Sequence, residues 1–109
     1  MKAIEYVKQE VRREYDRAAA KFGAANNSPY ESYAVILEEY EEAQEQIAKF
    51  AADFEIYWQR VKQNLTAEQY ARLKCMQERA ENAAAELIQV AAMCFKARIP
   101  FEQMERDKK

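Results

Sequence analysis

Ile4, Val7, Val11, Tyr15, Ala18 and Phe22 recur at alternating spacings of three and four, with Lys, Arg, Glu and Asp between them. That period predicts an amphipathic helix over residues 3–22. Gly23 and the polar stretch AANNSP behind it form a stop and a loop. Ser28 is placed to cap the next helix, Pro29 sits where a missing N–H does no harm, and Glu31 completes a capping box. From there Tyr33, Ile36, Tyr40, Ala43, Ile47, Phe50, Phe54, Tyr57 and Val61 keep the same alternation, which predicts a long second helix over 29–62 with a seam suited to shallow packing against other helices. Gln63 and Asn64 mark a turn, and Thr66 with Gln69 reads as a second capping box. The third helix is expected over 67–99, ended by Pro100, because the residue before a proline is pushed away from helical geometry. The polar tail FEQMERDKK is expected to fray.

Composition supports the same class. Half of the 109 residues are hydrophobic and 33% are charged, with one Gly and two Pro, so a single all-α domain over 1–109 with one core is expected. Three helices, the two longer ones near 45 Å at about 1.5 Å per residue, leave the aromatic stripe around Phe54, Tyr57 and Trp58 incompletely covered. Long antiparallel helices in a bundle completed by homo-oligomerisation are therefore expected, since two-fold dimers are the commonest assembly. The net charge of −2 comes from interspersed signs, which argues against a nucleic-acid partner. The N-terminal MKAIEYVKQEVRREYDR lacks the apolar core of a signal peptide, and the apolar run 83–95 is shorter than the roughly 20 residues that span a bilayer. No membrane association and a cytoplasmic location are expected. There is no His, and Cys75 and Cys94 form no CxxC pair, so zinc sites, His-based triads and a disulfide framework lose their usual residues and two reduced thiols remain.

One segment breaks its own pattern. AAAELIQVAAMCF, residues 83–95, is apolar except for Glu86 and Gln89, which share one helical face. A carboxylate in such surroundings must be paired, protonated or facing a wet cleft. One reading is a core ion pair with Lys or Arg of a neighbouring helix. The other joins Glu86 and Gln89 to Glu39 and Glu42, an i, i+3 pair beside the seam of the second helix, while Glu38, Glu41 and Glu45 turn toward solvent. Hard oxygen donors of this kind suit Mg²⁺. On the same face as Glu86 and Gln89, Asn82 lies one turn earlier and Lys96 two turns later, an arrangement that fits a phosphate-bearing ligand.

Glu39-x-x-Glu42 within LEEYEEA, followed by Glu86-x-x-Gln89 within AELIQVAAM, resembles the MazG-like, all-α nucleoside triphosphate pyrophosphatase superfamily, whose motif is ExxE on one helix and ExxD on the next. SPYESYAVILEE together with ELIQVAAM looks closer to its small phage- and prophage-encoded members, over roughly residues 26–97. The resemblance implies an all-helical homodimer or tetramer that binds Mg²⁺, with Mn²⁺ as substitute, through Glu39, Glu42 and Glu86. It implies cleavage of a nucleoside triphosphate between its α and β phosphates, the same glutamates being the catalytic set. Asn82, Gln89 and Lys96 are substrate-binding candidates from spacing rather than from the motif, and Gln89 is also a candidate metal ligand. Two departures stand out: Gln89 offers a carbonyl oxygen without the charge of Asp, and 43 residues separate Glu42 from Glu86, more than in typical members. A second reading, from another class, is a catalytically silent helical dimer that serves as an interaction module of a phage or prophage through the Tyr57 and Trp58 region. The surroundings of Glu86 discriminate the two. Tyr30 and Tyr33 are positioned either to stack on a base or to pack.

Overall fold

The computed structural model describes residues 2–108. It contains α1 (Ala3–Phe22), α2 (Pro29–Lys62) and α3 (Thr66–Asp107), with no strand among the described residues. The chain is all-α, as its composition and periodicity predict. α1 ends at Gly23, whose N–H donates to the Ala19 carbonyl at 2.9 Å and whose φ of 98° is open to glycine at no steric penalty. α2 begins as its signals require: the Glu31 N–H donates to Ser28 Oγ at 3.1 Å, and the Glu31 carboxylate accepts from the Asn27 N–H at 3.4 Å.

Two boundaries differ from expectation. Thr66 and Gln69 do not form the anticipated box: Thr66 is the first helical residue, and the Gln69 amide reaches back to the Arg60 carbonyl at 3.2 Å. That carbonyl also accepts from the Leu65 N–H at 3.0 Å, while the Asn64 N–H donates to the Val61 carbonyl at 3.1 Å, with Asn64 at φ 57°. This is a Schellman turn, and it closes α2 with Asn in the left-handed position. The second difference is that α3 does not stop near residue 99 but continues through Pro100 to Asp107, so the polar tail is helical. A proline inside a helix removes one donor, here the one that would serve the Lys96 carbonyl. Beyond it, Arg98 pairs with Glu102 at 2.6 Å and Gln103 donates to Asp107 at 3.3 Å, both across one turn. On the other side, Ile99 packs against the core.

The chain forms two compact units. One comprises α1, α2 as far as Tyr40, and α3 from Leu87 onward. Its core is Tyr15, Ala92 and Met93, covered by Val11, Ala18, Ala19, Val35, Ile36, Phe95 and Ile99. Tyr15 and Phe95 meet edge to face with centroids 4.8 Å apart, and the Tyr15 hydroxyl donates to the Ala24 carbonyl at 2.8 Å, which fastens the loop after α1 to the core. The other unit is the helical hairpin Glu41–Glu86, in which Ala43, Met76 and Ala83 are buried. Asp53 of α2 receives Arg72 at 3.0 Å and Arg79 at 3.6 Å from α3, a charge-matched link along the hairpin.

The seam of α2 divides by heptads. Ala43 is fully buried and Ile36, Phe50 and Tyr57 are half-buried, whereas Tyr33, Tyr40, Ile47 and Phe54 are exposed. With Leu37 and Trp58 they make an exposed apolar row on the helix.

The turn supports a direct test. Asn64→Val places a β-branched residue in the left-handed region and is expected to destabilise the fold by about 1–2 kcal/mol, read as a lower midpoint in thermal unfolding. Asn64→Gly should leave the midpoint equal or higher.

Candidate functional site

Glu39 and Glu42 stand one turn apart on α2, so a helix with no special feature aims both carboxylates the same way. Glu86 comes from α3. One carboxylate oxygen from each of the three lies within 4.8 Å of the others, with Glu39 and Glu86 half-buried and Glu42 exposed. Small residues flank the pair in the hairpin: Ala43 follows Glu42 and Ala83 lies one turn before Glu86, both buried. Alanines at these positions leave room for longer side chains to converge beside them.

The surroundings of Glu86 bear on the two readings that its sequence left open. Burial raises its carboxyl above the ordinary carboxylate range, and a hydrogen bond with the Glu42 side chain and the Glu42 charge raise it further. Its partner is thus another acid rather than the Lys or Arg of a core ion pair. Carboxylates this close resist simultaneous ionisation and are relieved by a shared proton or by a cation. The donor set is hard, anionic oxygen, which fits Mg²⁺ or Mn²⁺ and not a soft metal. By contrast Glu38, Glu41 and Glu45 are exposed, as expected, and Glu45 pairs with Lys49 at 3.2 Å.

Gln89, one turn beyond Glu86, is engaged by α1. Its amide nitrogen donates to Glu14 Oε2 of α1 at 2.7 Å, and the other oxygen of Glu14 pairs with Arg17. Glu14 is a partner of Gln89 that the sequence reading passes over. The signal was present: Glu14 lies one turn after Val11 and one before Ala18, on the flank of α1 that turns inward. Lys96 is 5% exposed, the one charged side chain among the buried described residues, and its ammonium lies 6.0 Å from the centre of the Phe22 ring. Asn82 is exposed while its neighbour Ala83 is buried, so the polar line Asn82, Glu86, Gln89, Lys96 does not run evenly along the interior. Tyr30 and Tyr33 are exposed.

No protein-family model, curated protein or solved structure matches this chain. Among the described residues no helix is long and apolar enough to cross a membrane.

A raised Glu86 has a defined effect on stability. A carboxyl that binds its proton more tightly in the folded chain stabilises the fold below the ordinary carboxylate range, and this contribution is lost as pH rises through the raised value. In metal-free solution Glu86→Gln should melt close to the native protein near pH 4. It should melt above it at neutral pH, the gap opening as Glu86 ionises. Thermal melts across pH check this, and a gap that stays constant would contradict it.

Proposed function

We propose that this chain is a MazG-like, Mg²⁺-dependent nucleoside triphosphate pyrophosphohydrolase that works as a homodimer or tetramer. The observation that carries the proposal is the meeting of Glu39, Glu42 and Glu86, contributed by two helices, at a spacing suited to a shared divalent cation. A protein gains nothing in stability from three clustered carboxylates, and a raised Glu86 is a standing electrostatic penalty that a bound cation relieves.

The reaction is an attack of water on the α-phosphorus: the new P–O bond forms as the bond to the α–β bridging oxygen breaks. The products are a nucleoside monophosphate and pyrophosphate. Mg²⁺ bound at the cluster would neutralise phosphate charge and lower the pKa of water. Glu39, Glu42 and Glu86 would hold that charge in place, and a carboxylate of the set would accept the proton of the attacking water. Lys96 supports the anionic end of the ligand. Its side chain is buried, with the Phe22 ring centre 6.0 Å from the ammonium. A lysine this buried is suited to an anion.

Pyrophosphate release from a panel of nucleoside triphosphates with Mg²⁺ or Mn²⁺ tests the reading. The native protein should turn over at least one of them, and Glu86→Gln should lose about 100-fold or more in rate. Silence of the native protein throughout the panel would overturn the enzymatic assignment.

The second reading, a silent helical dimer acting as an interaction module, draws on one observation, the exposed Phe54 and Trp58 of α2. Both readings require self-association, since apolar rows of this kind are covered in stable proteins. Sedimentation equilibrium should find two or four chains per particle, and Phe54→Glu combined with Trp58→Glu should shift the particle toward the monomer.

A further inference from the structure

A groove runs between the first half of α1 and α3, wholly within one compact unit. Ile4, Val7 and Val11 line it from α1, and Phe95 lines it from α3. Ile4 is 55% exposed and Val7 41%, so this apolar surface is open. The charged side chains along it are Lys8, Arg12 and Arg98, and no acid lines it among the described residues. The guanidinium groups of Arg12 and Arg98 lie 5.1 and 5.7 Å from the centre of the Phe95 ring. Each also pairs with an acid of its own helix, Arg12 with Asp16 at 3.5 Å and Arg98 with Glu102 at 2.6 Å. Both pairs are exposed, and such pairs are exchanged at little cost. The apolar track from Ile4 to Val11 covers seven steps of helix, about 10 Å. An apolar floor with a cationic edge fits an apolar row with an acidic edge.

α2 carries that complement. Tyr33, Leu37 and Tyr40 are exposed at spacings of four and three, and they too cover seven steps, about 10 Å. Glu38 and Glu41 stand beside them on the same helix, both exposed. Residues 31–48 hold six glutamates and no Lys or Arg. We propose that the groove of one copy receives the row 33–40 of α2 from a second copy, with Lys8 and Arg12 meeting Glu38 and Glu41. This inference rests on the self-association argued above and is independent of the acidic cluster and of hydrolysis. The docked helix lies against α1 and α3 with its apolar face down, the usual mode for an amphipathic helix in a groove. Every copy has both a groove and a row. In a two-fold pair the contact is therefore made twice, and the same face that gives also receives.

Sedimentation equilibrium of charge-reversed full chains tests the pairing. Lys8→Glu with Arg12→Glu reverses the groove, and Glu38→Lys with Glu41→Lys reverses the row. Either variant alone sets like charges against each other at both contacts and should weaken self-association by about 100-fold or more. An equimolar mixture of the two restores opposite signs at both contacts and should return the particle to native size. Melting by circular dichroism accompanies each sample, and Lys8→Glu or Glu38→Lys alone takes the place of a double variant that fails to fold. Native self-association that neither reversal weakens would overturn the docking of row into groove and leave self-association standing. Folded variants that come apart singly and stay apart on mixing would overturn it as well, since complementary charge predicts their rescue. A native protein that remains monomeric at millimolar concentration would overturn this inference and the self-association on which it rests.

Discussion

Like charges held at close range set the terms for this molecule. Glu39, Glu42 and Glu86 lie within 4.8 Å by their nearest oxygens, and no arrangement of three carboxylates at that spacing is at ease without a proton or a cation among them. Folding brings them together regardless, because the apolar positions that set the register of α2 and α3 fix where the acids fall. Ala43 and Ala83 are buried beside them, and their burial cannot be separated from the convergence of the acids. Hydrophobic register thus holds an electrostatically strained group in place, the usual relation between a scaffold and a site whose groups are tuned away from their ordinary protonation.

Most of the fold was legible in the sequence because helices report themselves locally. The 3-4 spacing from Ile4 to Phe22, the Ser28 cap and the Gln63–Asn64 turn each act within a few residues, so the elements they predict appear with little displacement. Pro100 misled for an instructive reason. Its local effect is real, the loss of one donor, but the ion pairs after it and the burial of Ile99 before it outweigh a local preference. Gln69 misled similarly: its spacing from Thr66 fits a cap, yet the Arg60 carbonyl across the turn offered a partner that no local pattern displays.

The candidate site was legible in its acids and opaque in their surroundings. Glu39, Glu42 and Glu86 could be named from their spacing and from an acid embedded in an apolar segment. The contact of Glu14 could not, since it is made with a residue 75 positions away, and a glutamate beside arginines on α1 looks like any solvated charge. Lys96 shows the opposite case, a cation chosen by helical spacing that proves to be deeply buried. The seam of α2 lies between these extremes: its period is plain in the sequence, but which heptad positions face inward is set by the other helices. The result leaves Tyr33, Tyr40, Ile47 and Phe54 outside.

Pro100 divides α3 in a way that the continuous helix conceals. The proline deprives Lys96 of its carbonyl's usual donor, and Ile99 is the last residue of the helix packed on the core cluster. The turns after it carry side-chain pairs within the same helix, Glu102 with Arg98, Gln103 with Asp107 and Glu105 with Lys108. A segment of that kind opens on its own, with a free energy below that of global unfolding. Amide hydrogens from Phe101 onward therefore exchange through local fraying, while those around Ala92 and Met93 wait for the whole unit to open. In cooperative terms the helix ends where its length does not.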